Sequence, residues 1–174
     1  MIVKLKRTPG IYLVGFMGCG KTTVGELLAD ELGWQFCDVD REIEAEQRTT
    51  IAEIFDARGE EAFRALETEA IRKRVLKIEK GQPTVVAVGG GAFVREVNYN
   101  LLEEHGVTIW LDCPLEVIEQ RVQQSEHRPL ARDIERFRQY YAERLAFYAR
   151  ADYRIDAAAA PAEVVKAILK LPIF

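Results

Sequence analysis

No apolar run in this chain approaches the ~18 residues that span a bilayer, so no membrane helix is expected. The first residues, Met1 to Arg7, lack the apolar core of about 7–15 residues that a secretory signal carries. Cysteine is scarce. Cys19, Cys37 and Cys113 are odd in number and lack metal-ligand spacing, which argues against a disulfide framework or a thiolate metal centre. Reduced thiols and a cytoplasmic location are the simplest expectation. Histidine is scarcer still: His105 and His127 read as surface residues without a chemical role. No long basic block occurs and the net charge is -4, so a nucleic-acid surface is not expected and arginines that matter act locally. There is no internal repeat, no linker and nothing that demands a partner, so a monomer is expected. What remains is 174 residues, 48% hydrophobic and 30% charged, enough for one soluble domain with a sizeable core.

The most informative stretch is Gly15-Phe16-Met17-Gly18-Cys19-Gly20-Lys21-Thr22. It fits the phosphate-loop pattern G-x-x-x-x-G-K-[ST] in full, after a strand-like run (Ile11 to Val14) and before a helix-like one (23–32). Small residues let backbone N–H groups curl around phosphate oxygens, and the helix start adds positive field. The Lys21 ammonium reaches the outer phosphates and the Thr22 hydroxyl meets Mg2+. Cys19 lies inside the loop, so a thiol reagent is expected to block nucleotide binding.

Short apolar runs alternate with helical patterns. Tyr12-Leu13-Val14, Trp34-Gln35-Phe36-Cys37, Val85-Val86-Ala87-Val88, Thr108-Ile109-Trp110-Leu111 and Tyr153-Arg154-Ile155 read as strands. Residues 23–32, 60–79, 115–124, 134–149 and 162–169 read as helices. This alternation predicts a mostly parallel sheet covered on both faces. Two stretches break the rhythm. Residues 40–59 are charged and hold only short helical pieces, such as 51–57; residues 125–133 are polar, with Pro129 and the basic His127, Arg128 and Arg132. Such insertions are where substrate sites and lids are built.

Ligands of parallel sheets bind beyond the carboxyl ends of the strands. There, Asp38-Val39-Asp40 closes the second strand, and alternation places both carboxylates on one face. One could hold Mg2+ through water, while the other orients or deprotonates an acceptor hydroxyl. The plainer alternative is a solvated strand end with Asp40 capping a helix at Arg41. Gly89-Gly90-Gly91 follows the third strand and offers close approach to the backbone. Two arginines fall on apolar helix faces. Arg144 sits within the Phe137, Tyr141 and Tyr148 stripe, and Arg64 sits beside Ile71 and Val75. A buried guanidinium needs a partner. A local pair of Arg64 with Glu67 would serve; two such arginines together suggest a carboxylate clamp. Arg128 in the polar loop fits the mobile arginine that stabilises a moving phosphoryl group. Arg121 either stacks on a base or faces water.

Together these pieces resemble the shikimate kinase family across residues 11–165. The phosphate loop, Asp38-Val39-Asp40, the run Gly59-Glu60-Glu61-Ala62-Phe63-Arg64-Ala65-Leu66-Glu67, the triple glycine, Arg128-Pro129-Leu130 and Arg144-x-x-x-Tyr148 carry the resemblance. It implies a P-loop kinase of the nucleoside-monophosphate-kinase type: one α/β domain over 1–174, with five parallel strands in the order 2-3-1-4-5. A substrate-binding insertion would occupy about 40–70 and a lid about 122–134. The implied reaction is transfer of phosphate from ATP to the 3-hydroxyl of shikimate, in the pathway to chorismate and the aromatic amino acids. Gly18, Cys19, Gly20, Lys21, Thr22 and Thr23 would hold the triphosphate, with Arg121 and Arg128 also on the nucleotide. Thr22 would ligate Mg2+ and Asp38 would support it. Lys21, Asp40 and Arg128 would be catalytic. Asp40, Arg64, Gly89, Gly90, Gly91 and Arg144 would bind shikimate, with Glu67 steadying Arg64. The adenine-side loop has four alanines between Asp156 and Pro161, so base recognition would rest on backbone and Arg121. The rival readings are a gluconate or nucleotide kinase on the same scaffold, and a nucleotide-sensing module without catalysis. The latter expects a degraded Lys21, Thr22 or Asp40, and all three are intact.

Overall fold

The computed structural model describes residues 10–124 and 133–174. In chain order the elements are β1 (Gly10–Val14), α1 (Lys21–Leu32), β2 (Gln35–Asp38), α2 (Val39–Gln47), α3 (Ile51–Glu79) and β3 (Thr84–Ala87). A single 3-10 turn (Ala92–Val94) follows, then α4 (Glu96–His105), β4 (Val107–Asp112), α5 (Leu115–Gln123), α6 (Ile134–Tyr148), β5 (Tyr153–Asp156) and α7 (Pro161–Leu169). The five strands are all parallel, in the order β2-β3-β1-β4-β5. No described helix is long and apolar enough to cross a membrane.

Every residue of β1 and β3 is buried, as strands covered on both faces require. Helix α1 packs on β1, β3 and α7, while α4 packs on β4 and α3. From central β1 the chain runs outward to β2, returns through β3, then continues on the far side as β4. The order therefore reverses beside β1, and a crevice opens beyond its carboxyl end. The segments leaving β1, β2 and β3 all meet there.

Two helices exceed the sequence expectation. Helix α2 begins directly at Val39; its buried residues are only Val39 and Ile43, too few for a visible stripe in so charged a segment. It is held to α3 by the Lys73–Glu46 pair at 2.7 Å and by an Arg74–Glu42 pair. Helix α4 buries only Asn98 and Leu102, and no side chain caps its start. The expected pieces 51–57 and 60–79 are the two arms of α3, which breaks at Gly59 (φ 84°, ψ 170°). A capping box starts the first arm: Thr50 Oγ1 accepts from Glu53 N at 3.1 Å and Glu53 Oε2 from Thr50 N at 3.2 Å. Those two bonds satisfy end groups that a helix cannot pair internally.

Candidate active site

The phosphate loop leaves β1 and enters α1 through Gly20, whose φ of 97° is left-handed. A side chain there would strain the backbone, and no side chain caps α1, so its first N–H groups face the crevice. Lys21 Nζ donates to Gly15 O at 2.7 Å and to Phe16 O at 3.1 Å. The ammonium is thus held over the loop it serves. Cys19 is 1% exposed, so a thiol reagent cannot reach it without opening the loop. Such a reaction therefore depends on the loop opening, and the Cys19 N–H donates to Phe16 O at 3.2 Å.

Asp38 and Asp40 are not related by strand alternation, contrary to expectation. Asp38 ends β2 and caps α2, accepting from Arg41 N at 3.2 Å; Asp40 is already helical. The cap leaves the second Asp38 oxygen free to accept from Thr22 Oγ1 at 2.7 Å. The two carboxylates consequently occupy different environments. Asp40 Oδ1 is buried without a hydrogen-bond partner among the described residues. Burial, then the nearby Glu67 and Asp38 charges, push its pKa up from 3.8 to about 6, with Lys21 opposing. A lone carboxylate oxygen in that setting is a ready acceptor for a ligand hydroxyl.

Glu67 from α3 is 1% exposed and accepts from Arg64 Nη1 at 2.8 Å. Burial raises its pKa, while Arg64, Arg95 and Arg144 pull it back. The pairing expected from sequence is therefore present, and Glu60 Oε1 lies 3.6 Å from Arg64 Nη2 as well. Arg144 of α6 rests over the rings of Phe16 and Tyr140 at 5.6 and 5.3 Å. It has no carboxylate partner within salt-bridge distance among the described residues.

The triple glycine makes room for these groups. A Cβ on Gly89 would lie 2.8 Å from Glu67 Oε2 and 3.1 Å from Asp40 Oδ1; one on Gly91 would lie 2.5 Å from Arg64 Nη2. Only Gly90 is less crowded: its Cβ would lie 3.4 Å from Met17 N and 3.6 Å from Arg144 Nη1. Close approach is thus required first by the protein's own side chains. Behind the turn, Thr68 Oγ1 donates to Asn98 Oδ1 at 2.8 Å, and Asn98 Nδ2 to Ala92 O at 3.0 Å. This buried strut fixes the turn to α3 and α4. Sequence reasoning missed it, since nothing local marks Asn98 as buried.

A cavity of about 640 Å³ joins Lys21, Thr22, Thr23, Asp38 and Asp40 to Gly89 and Gly90. Arg41, Glu44 and Ile51 also line it; their place in the expected substrate insertion (40–70) was the available signal, yet none was singled out. Arg121 is half-buried and donates to Gly18 O at 3.2 Å and Ala157 O at 3.3 Å. It thereby ties the phosphate loop to the alanine-rich segment. Arg128 and most of the expected lid lie outside the described residues.

Residues 17–171 match the family model described as shikimate kinase. A shikimate kinase of Persephonella marina is 41% identical over 91% of this chain and 96% of its own length. The crystal structure of the Aquifex aeolicus shikimate kinase superposes with TM-score 0.81 at 37% identity, covering 92% of this chain and 94% of that one. The Acinetobacter baumannii shikimate kinase, solved in complex with shikimate, gives 0.87 at 35% identity, covering 97% and 94%. A gluconokinase of Sinorhizobium meliloti reaches only 0.57 at 17% identity, a likeness of fold alone. Likeness at 41% identity over nearly all of both chains reaches beyond a common fold, and this chain belongs to the shikimate kinase family.

Proposed function

We infer that this protein transfers the γ-phosphoryl group of ATP to the 3-hydroxyl of shikimate, giving shikimate 3-phosphate and ADP. The observation that carries the reading is Asp40 Oδ1, a buried acceptor without a partner among the described residues, in one cavity with Lys21 and Thr22. The loop N–H groups from Gly18 to Thr23, Cys19 and Gly20 included, bind the triphosphate. Lys21 Nζ leaves the loop carbonyls for the outer phosphates and stabilises charge as the bridging P–O bond breaks. Asp40 accepts the hydrogen bond of the acceptor hydroxyl and takes its proton as the new O–P bond forms. Arg64 and Arg144 grip the shikimate carboxylate from opposite sides of the Gly89-Gly90-Gly91 turn. Arg121 braces the nucleotide side, and we assign Arg128 to the moving phosphoryl group, within a lid at about 122–134.

The Thr22 hydroxyl and Asp38 carboxylate, 2.7 Å apart, fit Mg2+, which prefers oxygen ligands and keeps much of its water. No cluster of three or more His, Cys, Asp or Glu that could hold a metal occurs among the described residues, so phosphate oxygens and water would complete the shell. When bound, Mg2+ neutralises phosphate charge.

Coupled ADP release tests the reading. Shikimate should give turnover far above gluconate, nucleoside monophosphates or no acceptor. Equal rates with gluconate would overturn it.

A further inference from the structure

Tyr148, at the end of α6, is 1% exposed and lies against Trp110 of β4, with ring centroids 6.2 Å apart. Its hydroxyl donates to Gly90 O at 2.5 Å, across 58 residues of sequence. Burial raises its pKa, so it remains a proton donor throughout the ordinary pH range. In a trans peptide the C=O and the following N–H point in opposite directions. Anchoring Gly90 O on Tyr148 therefore turns the Gly91 N–H the other way. That N–H has no acceptor among the described residues.

The Gly90–Gly91 peptide lies between two guanidinium groups. A Cβ on Gly90 would sit 3.6 Å from Arg144 Nη1, and one on Gly91 2.5 Å from Arg64 Nη2. A carboxylate held by both arginines has this peptide as its floor. A neutral donor there adds direction to two charges that otherwise supply mainly attraction. We propose that Tyr148 is a positioning residue for substrate recognition: through the Gly90 carbonyl it aims the Gly91 N–H at the bound carboxylate. The role rests on the shikimate reading and adds to it a residue that need not touch the substrate. It also places carboxylate recognition under the control of α6, which carries both Arg144 and Tyr148.

The test uses Tyr148→Phe, which keeps the ring and removes the hydroxyl, and with it both the bond to Gly90 O and the hydroxyl's contact with the Arg144 side chain. Calorimetric titration with shikimate alone should show affinity about tenfold weaker than the unsubstituted protein, as for one lost directional bond. ADP affinity should stay within about twofold, and kcat at saturating shikimate within about threefold. A merely structural hydroxyl would lower both affinities together, or neither; either result overturns the proposal. A second measurement needs no variant. The Gly91 amide resonance of the unsubstituted protein should move on saturation with shikimate, and an unmoved resonance overturns the proposal even if Tyr148→Phe fails to fold. Failure of the unsubstituted protein to bind shikimate would instead sink the functional reading itself.

Discussion

Two glycine-rich segments meet in this cleft, and they use glycine for different reasons. In the phosphate loop Gly15, Gly18 and Gly20 have φ of 145°, 80° and 97°, so the backbone path itself excludes side chains. None of Gly89, Gly90 and Gly91 has φ in the left-handed region. Their backbone would accept alanine, but the space beside Gly89 and Gly91 is filled by Glu67, Asp40 and Arg64. One segment is a shape made by its own chain. The other is a gap kept open for side chains delivered by α2 and α3. The first serves phosphate and the second serves the acceptor, so damage to each should be separable.

The largest expected effect is on the phosphate side. Lys21→Ala should lower kcat by about 10³-fold, through lost stabilisation of the transferring group, with shikimate affinity near normal by titration. Loss of both together would blur the division between the two segments. Next, on the acceptor side, Arg144→Ala should weaken shikimate binding by about 2–5 kcal/mol. Its effect on thermal stability should be small, because no described carboxylate pairs with it. Arg64→Ala should differ here: it strands buried Glu67 and should cost about 3 kcal/mol of stability as well as binding.

Asp40 sharpens the comparison through pH. Its folded pKa of about 6 lies above the ordinary 3.8, so folding favours the protonated form. The stability this provides is fully present below about pH 4 and is lost as pH rises through about 6. Asp40→Asn should therefore be more stable at pH 8 by about 2–3 kcal/mol in urea unfolding, with turnover nearly abolished. In the unsubstituted enzyme kcat/KM should fall as pH drops below about 6, when the base is protonated. A rate profile flat down to pH 4.5 would count against Asp40 as the proton acceptor.

The smallest effects compare the glycines directly. Gly15→Ala meets both a left-handed φ and Leu111 O at 2.8 Å, and should destabilise by about 1–3 kcal/mol. Gly91→Ala meets only the Arg64 guanidinium, the end of a long side chain. It should leave melting within about 0.5 kcal/mol of normal while raising KM for shikimate severalfold. If Gly91→Ala proved the more destabilising of the two, the distinction between backbone shape and reserved space would be wrong.

Much of this arrangement is legible in the residues, and the gaps have physical causes. The three central strands β1, β3 and β4 read clearly because continuous apolar runs mark buried parallel strands, while the edge strands β2 and β5 bury only Cys37 and Ile155. Helix α2 did not, since two buried residues in nine leave no periodic stripe; its start also turned an apparent strand pair, Asp38 and Asp40, into a helix cap and a helix residue. Arg64 and Arg144 stood out because cations on apolar faces need an explanation. The Thr68–Asn98 strut, and the capture of Arg121 by two carbonyls, left no local trace: both partners of each are ordinary residues far apart in sequence.

The phosphate loop, the alternation of strand and helix, and the residue types for phosphoryl transfer to a carboxylate-bearing alcohol are all written in the residue order. These are properties of neighbouring residues, so local spacing suffices to express them. Long-range packing settles which aspartate meets Thr22 and which is left buried with a raised pKa, why Gly89 and Gly91 leave no room for a side chain, and that Tyr148 reaches Gly90. Those outcomes depend on groups 16 to 58 positions apart meeting at the ends of parallel strands, and no local pattern encodes such distances.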